Sequence, residues 1–124
     1  MKTRIILSVA LLGAMASPAF AQLGPQTLPQ RGGEAIYKGV CQDCHMPDGK
    51  GAVGAAAYPA LAGNKKLAEA GYPISVVVNG LHSMPSFAKS FDDQQIADIV
   101  NYIRGNFGNH YKDKVTPAQV KAAR

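Results

Sequence analysis

The sequence predicts a small all-α domain built from short helices. Its clearest element is a helix over residues 93–106. Apolar side chains recur along this segment at helical spacing, at Ile96, Ile99, Val100, Ile103 and Phe107. Asp92 and Gln95 stand at the N-cap and N3 positions of a capping box, which marks where the helix begins.

Shorter helical segments are predicted upstream of this helix. Residues 33–40 carry apolar residues at helical spacing, residues 65–70 can form a helical turn, and residues 74–78 form another short helix. The β-branched run at 76–78 could also be a strand, but no nearby segment would pair with it. Residues 47–57 are rich in Gly and Ala and are predicted to be a loop.

The N-terminus has the pattern of a secretory signal peptide. Residues 1–21 begin with basic residues, continue as a short apolar run and end on Ala19-Phe20-Ala21, so we expect cleavage after Ala21. A membrane anchor is the alternative, but a span needs about 20 apolar residues, and the apolar run at residues 5–12 is much shorter than that. Export through a bacterial signal of this type predicts a periplasmic location and no membrane span after cleavage.

The exported chain is expected to have three parts. Residues 22–32, with few apolar residues, form a flexible arm. Residues 33–108 form the folded domain, and residues 109–124 form a C-terminal extension. Thr116-Pro117 predicts a short helix in that extension, which could dock on the domain or on a partner.

Length and charge limit the classes of function. A domain of this size buries little apolar surface and needs an additional source of stability, such as a covalently held prosthetic group. The formal net charge of the whole chain is +5, of which the leader contributes two through Lys2 and Arg4. Such a mild charge gives no reason to expect a nucleic-acid partner.

Cys41-Gln42-Asp43-Cys44-His45 is the stretch that carries chemistry. C-x-x-C-H is the spacing at which two thiols attach to the vinyl groups of a haem while the adjacent imidazole ligates its iron. A bare C-x-x-C also occurs in thioredoxin-like sites and in zinc sites, but the sequence has neither a βαβ context nor a second ligand pair. We therefore predict one covalently attached haem c, bound through Cys41 and Cys44, with its iron ligated by His45.

A second axial ligand is expected from the remaining Met and His residues. Met46 directly follows His45 and cannot reach the opposite face of the iron. Met84 lies much further along the chain, beside Pro85 in a predicted loop, and is our sixth ligand. His82 is the alternative, which would give a bis-imidazole site, although an exposed loop histidine is its more ordinary interpretation.

These residues resemble the class I cytochromes c. Gly33 and Tyr37 match the glycine and the aromatic residue of that family's first helix, and Tyr102 matches the aromatic of its last helix. The family crosses these two helices at the glycine. The resemblance covers roughly residues 31–107 and implies the class I cytochrome c fold, in which short helices wrap around one haem.

The same resemblance implies roles around the haem. Residues 59–63 match the family's P-x-L-x-G segment. In that segment the carbonyl of Pro59 would accept a hydrogen bond from Nδ1 of His45, and Leu61 would pack on the haem. Met84 and the residues after it match the axial-methionine loop.

The resemblance also indicates a function. The chain looks like the haem domains of bacterial cytochrome subunits that accept electrons from periplasmic dehydrogenases. We expect an electron carrier rather than an enzyme. The carrier would receive electrons from a periplasmic dehydrogenase and pass them to an oxidase or another cytochrome of a respiratory chain. It would be a monomer or a subunit of the dehydrogenase complex. The haem edge would be ringed by candidate basic residues Lys50, Lys65, Lys66 and Lys89.

Two other functions stay open from the sequence. A cytochrome subunit bound tightly to one dehydrogenase would act as an interaction protein as well as a carrier. A haem enzyme or gas sensor would need a vacant or labile sixth position on the iron.

Overall fold

Helices dominate the computed structural model, which describes residues 27–54 and 57–124. The helical segments are α1 (Gly33–Ile36), a π-helix (Tyr37–Cys41), α2 (Gln42–His45), a 3₁₀-helix (Lys65–Ala68), α3 (Gly71–Asn79), α4 (Asp93–Gly105) and α5 (Pro117–Ala122). The predicted all-α class is confirmed. The predicted signal peptide and the first residues of the predicted arm lie outside the described residues. Within the described residues, no helix is long and apolar enough to cross a membrane.

A two-stranded antiparallel hairpin is the one sheet among the described residues. Strand β1 (Ala52–Val53) pairs with β2 (Ala57–Tyr58), and Ala52 lies opposite Tyr58. The sequence predicted a loop here, because a strand of two residues leaves no alternating pattern. The hairpin is a local feature of that loop and leaves the helical class unchanged.

Helix α4 is the centre of the core, and its first turn is fixed as predicted. The side chain of Asp92 accepts a hydrogen bond from the backbone N–H of Gln95 at 2.8 Å, and Oε1 of Gln95 accepts from the N–H of Asp92 at 2.9 Å. Four residues of the predicted apolar face, Ile96, Ile99, Val100 and Ile103, are buried, and α4 contacts α1, α3 and α5. The fifth, Phe107, lies beyond the end of the helix, where its φ of +57° departs from helical geometry, and it packs half-buried on the core. Around it packs the remainder of the core, which includes Ile36, Tyr37, Leu67, Ile74, Val78, Phe91, Val115 and Val120.

Helices α1 and α4 cross at Gly33, where the two backbones almost touch. A Cβ atom on Gly33 would overlap the carbonyl oxygen of Asp98 and the Cβ of Tyr102. Only glycine allows this approach. The crossing places the segment that follows α1, which carries both cysteines, against the central helix.

Residues 27–32, which the sequence analysis placed in a flexible arm, lie along the domain. The backbone N–H of Leu28 donates to the carbonyl of Ser90 at 2.8 Å. The buried amide of Gln95 donates to the carbonyls of Leu28 and Gln30, at 2.6 and 2.8 Å. Because Gln95 belongs to α4, this part of the predicted arm is attached to the central helix.

The C-terminal extension also packs on α4. Thr116 and Gln119 form a capping box at the start of α5, and the side chain of Val120 is fully buried. Asn101 of α4 bonds both the N–H and the carbonyl of Val115, at 2.8 and 2.9 Å. The sequence left open where this helix docks, and the structure places it on the domain.

A buried arginine ties the extension to the rest of the fold. The side chain of Arg104 is 1% exposed and donates to the carbonyls of Leu67 and Ala68, at 2.8 and 2.9 Å. It also donates to the backbone carbonyl and the carboxylate of Asp113, at 2.7 and 2.8 Å. Its guanidinium lies 5.7 Å from the centre of the Tyr111 ring. A buried charge is tolerated only with such complete pairing.

Candidate functional site

Cys41, Cys44 and His45 lie on one continuous helical stretch, where the π-helix passes into α2. Cys41 is half-buried, Cys44 is exposed, and the His45 residue is 8% exposed. Burial raises the pKa of the Cys41 thiol to about 12, and the nearby Cys44 adds to the shift. The two sulfur atoms and the imidazole are thus presented from a single rigid element.

The ring of His45 is oriented by one backbone carbonyl. Its Nδ1 lies 2.9 Å from the carbonyl oxygen of Pro59. A carbonyl oxygen can only accept, so Nδ1 carries a proton, and in the neutral ring Nε2 is the nitrogen that keeps its lone pair. Among the described residues no hydrogen bond uses Nε2. This is the arrangement of a metal-ligating histidine whose other ring nitrogen is held by a hydrogen bond.

The segment that supplies this carbonyl is held by the loop after His45. The N–H of Leu61 donates to the carbonyl of Gly49 at 2.7 Å, and the N–H of Gly51 donates to the carbonyl of His45 at 3.0 Å. Gly51 has a φ of +65°, and a Cβ there would overlap the carbonyl oxygen of Tyr58. The close approach of the two backbones therefore depends on glycine.

An aromatic cluster of Tyr37, Tyr102 and Phe107 holds the helical segment that carries the cysteines. The hydroxyl of Tyr37 donates to the carbonyl of Met46 at 2.7 Å, immediately after His45. The centre of the Tyr37 ring lies 4.7 Å from that of Phe107 and 5.6 Å from that of Tyr102. Burial raises the pKa of Tyr37 to about 12, so the hydroxyl stays a donor at physiological pH.

Met84 is presented by a tight turn after α3. Leu81 and Met84 exchange two backbone hydrogen bonds, at 2.9 and 3.0 Å. His82, inside the turn, has a φ of +52° and an exposed side chain. The side chain of Met84 is half-buried and packs against the core. The two candidate sixth ligands thus differ: the thioether packs on the interior and the imidazole lies at the surface.

The residues after Met84 are attached to the end of α3. Ser86 Oγ donates to the carbonyl of Val78 at 2.5 Å, and the N–H of Phe87 donates to the carbonyl of Val77 at 2.9 Å. These bonds satisfy carbonyls of the last helical turn and fix the loop on one side.

Sequence reasoning missed Asn109, a buried side chain behind the Pro59–Gly63 segment. Its Nδ2 donates to the carbonyls of Leu61 and Ile103, at 2.8 and 2.9 Å, while its Oδ1 accepts from the N–H of Asn64 at 3.1 Å. Leu61, the predicted haem contact, is half-buried and packs on the core. Asn109 belongs to no motif, and only the adjacent Gly108, with a φ of +77°, marks a turn there.

The donor set fits a covalently attached haem. Two cysteines and an imidazole with a free Nε2 come from one helix, and a partly buried thioether comes from a separate loop. The described part of the chain contains no group of three or more His, Cys, Asp or Glu side chains that could hold a metal ion. The arrangement therefore differs from a structural zinc site, which needs four such ligands.

Comparison with known proteins gives the same result. Residues 29–103 match the family model described as cytochrome C oxidase, cbb3-type, subunit III. The cytochrome c subunit of a quinone-dependent alcohol dehydrogenase from Gluconacetobacter polyoxogenes is 36% identical over 106 residues, covering 74% of this chain and 22% of that protein. The gluconate 2-dehydrogenase cytochrome c subunit of Pantoea cypripedii is 34% identical over 107 residues, covering 74% and 24%.

A third relative is the fructose dehydrogenase cytochrome subunit of Gluconobacter japonicus, which is 32% identical over 93 residues, covering 62% of this chain and 19% of that protein. The chain spans less than a quarter of the length of these relatives. The similarity is therefore to one part of each relative.

Proposed function

This chain belongs to the cytochrome c family of the cbb3-type oxidase subunit III domain, and we propose that it is a periplasmic one-electron carrier that serves a dehydrogenase. Membership of a c-type cytochrome family carries with it a covalently bound haem c and its iron. The resemblance to the class I cytochromes c is thereby confirmed, as is the predicted cofactor. The observation that best supports the electron-transfer site is the bond between His45 Nδ1 and the carbonyl of Pro59.

The proposed ligand set assigns each residue one role. Cys41 and Cys44 would form the thioether bonds, His45 Nε2 and the sulfur of Met84 would ligate the iron, and Leu61 would pack on the haem. When bound, the haem iron exchanges one electron between its ferric and ferrous states. The chain keeps the imidazole oriented, and it supplies a thioether, which favours the ferrous form and so raises the reduction potential.

Filled axial positions favour a carrier over an enzyme. With His45 and Met84 both bound, substrate or oxygen would find no open coordination position. The protein would then control the potential through ligand identity and burial. A carrier also needs little rearrangement between its two states, and the backbone hydrogen bonds around Met84 and Pro59 support such rigidity.

The proposed electron donor is a periplasmic dehydrogenase, and the acceptor is an oxidase or another cytochrome. Three relatives are named as cytochrome subunits of alcohol, gluconate and fructose dehydrogenases, which supports a donor of this class. The signal-peptide pattern at residues 1–21 supports export to the periplasm and a place in a respiratory chain. The same names favour a second candidate, a cytochrome subunit fixed to one dehydrogenase. Co-purification of the exported protein with a dehydrogenase would favour that candidate over a free carrier.

The absorption spectrum of the exported ferric protein tests the ligand set. We expect the weak red band of methionine-to-iron charge transfer in the wild type, and its loss in Met84→Ala. His82→Ala, two residues away in the same turn, is the matched control and should keep the band. A wild-type spectrum of bis-histidine type that changes in His82→Ala would make His82 the ligand, and a high-spin wild type would favour an enzyme or sensor.

A further inference from the structure

We propose that Arg124 is a positioning residue for the Met84 ligand, because it clamps the segment that ends the methionine loop. This inference rests on the proposed ligation by Met84. It concerns a different property of the site, the rate at which the Met84 thioether leaves the iron. Neither the cysteine-histidine motif nor the methionine loop contains Arg124.

Arg124 makes three contacts with the chain that follows Met84. Its Nη2 donates to the carbonyl of Phe91 at 2.8 Å, and its Nη1 donates to the carbonyl of Ala88. Its Nε pairs with the carboxylate of Asp93 at 2.5 Å, at the first residue of α4. The side chains of Arg124 and Asp93 are 28% and 30% exposed, so the pair is less exposed to solvent than an ordinary surface ion pair.

Arg124 follows helix α5, which is docked on the domain. Helix α5 has a capping box at its start, and its Val120 side chain is fully buried against the core that α4 centres. Ala123, next to Arg124, also packs on that core. The arginine is thus delivered from a docked helix, and it holds its partners at a lower cost in conformational entropy than a free tail would.

The clamped carbonyls close the loop on the side that α3 does not reach. Bonds from Ser86 and Phe87 attach the start of this segment to α3. After Phe87 the chain turns back, with the rings of Phe87 and Phe91 stacked at 5.3 Å. Arg124 binds one carbonyl directly after Phe87 and the carbonyl of Phe91 itself. The loop that carries the thioether is therefore fixed at both ends, by α3 and by α5.

Loss of the clamp should increase opening of the loop more than it lowers global stability. A thioether leaves iron when its loop opens, and local opening is governed by the bonds that close the loop. A hydrogen bond from a charged group contributes enough to change such an opening equilibrium by about tenfold. Arg124→Lys keeps the charge but loses the fork that binds two carbonyls, so it should restore only part of the effect.

The experiment compares wild type, Arg124→Ala, Arg124→Lys and Arg31→Ala as exported holoprotein. Arg31 is the matched control, because it pairs with Asp92 at 2.6 Å at the same end of α4 but binds no carbonyl of the loop. Imidazole is mixed with the ferric protein, and the limiting rate at saturating imidazole reports dissociation of the thioether. Amide hydrogen exchange at Phe87 and Phe91 reports loop opening without reference to the ligand.

We expect about a tenfold higher limiting rate and faster exchange at both amides in Arg124→Ala, an intermediate rate in Arg124→Lys, and wild-type values in Arg31→Ala. Equal imidazole rates in wild type and Arg124→Ala, with the red band present in both, would overturn the inference and leave ligation by Met84 intact. A wild type without the band would instead overturn ligation by Met84, and with it the role given to Arg124. An equal increase of the limiting imidazole rate in Arg31→Ala would show general destabilisation and not a clamp, and would also overturn the inference.

Discussion

At His45 a single backbone atom decides which ring nitrogen can bind metal. The carbonyl of Pro59 accepts a hydrogen bond from Nδ1–H, and this carbonyl is itself held in place because the nearby Leu61 is bonded to Gly49 and Asn109. The orientation of the His45 ring, the proposed ligand, therefore depends on backbone geometry set by residues far along the chain. A change that moves this segment by a fraction of an ångström would weaken the bond without altering either partner.

Gly33 offers a direct test of packing at the scale of one residue. Because an added Cβ would overlap backbone of α4, Gly33→Ala must separate α1 from α4, and we expect a loss of about 1–3 kcal/mol in the free energy of unfolding. Gly71→Ala is the matched control, since a Cβ there meets nothing within 4 Å and the backbone φ is ordinary. Urea unfolding of both holoproteins measures the difference, and equal stability of the two variants would contradict the role of the crossing.

How far the sequence predicted the structure depends on whether the determining contacts are local. The capping boxes of α4 and α5 and the apolar stripe of α4 are local patterns, and all three are observed. The attachment of residues 27–32 depends on partners distant in sequence, so no local pattern revealed it. The strands at residues 52–53 and 57–58 are close in sequence but too short to leave an alternating pattern. In the same way, C-x-x-C-H predicted the cofactor, whereas nothing local marked Asn109 or Arg124.

At the scale of elements, the C-terminal extension is held to the domain by the pair of Arg104 and Asp113. Hydrogen bonds from the buried Arg104 hold the pKa of the Asp113 carboxyl below its usual range, and their opposite charges add to the effect. A carboxyl with a lowered pKa in the folded state stabilises that state at pH values above its unfolded pKa, about 3.9. The contribution is lost as the pH falls through the folded pKa.

Asp113→Asn tests this pair. We expect the difference in free energy of unfolding between wild type and variant to be constant above about pH 5 and to shrink below about pH 4, because the wild-type carboxyl then becomes protonated as well. Lys112→Ala, at the adjacent residue, changes the charge of the extension without removing the pair and is the control. Thermal unfolding across this pH range gives both values. A difference that does not change with pH would mean that the ion pair contributes nothing to holding the extension.

At the scale of the whole molecule, the formal charge is mildly positive, so the placement of lysines matters more than their number. Lys50 lies directly after Gly49, whose carbonyl holds Leu61 and Ala62, and Lys89 lies in the segment that Arg124 clamps. Both side chains are exposed, and the pairing of Lys50 with Asp48 at 3.6 Å is weak. Each of these two lysines follows a proposed ligand by five residues, Lys50 after His45 and Lys89 after Met84, whereas Lys112 and Lys121 lie on the extension.

Reduction by a small anion distinguishes local charge from net charge. Lys50→Glu with Lys89→Glu, and Lys112→Glu with Lys121→Glu, change the net charge equally. At about 0.01 M ionic strength the screening length of about 30 Å spans a domain of this size, so both pairs should slow reduction of the ferric protein by ascorbate. At about 0.1 M the screening length falls to about 10 Å. We then expect the variant changed at Lys112 and Lys121 to be reduced at the wild-type rate, while the variant changed at Lys50 and Lys89 stays several-fold slower. Stopped-flow measurement gives the rates, and identical salt dependence in both pairs would show that these lysines do not surround the site of electron entry.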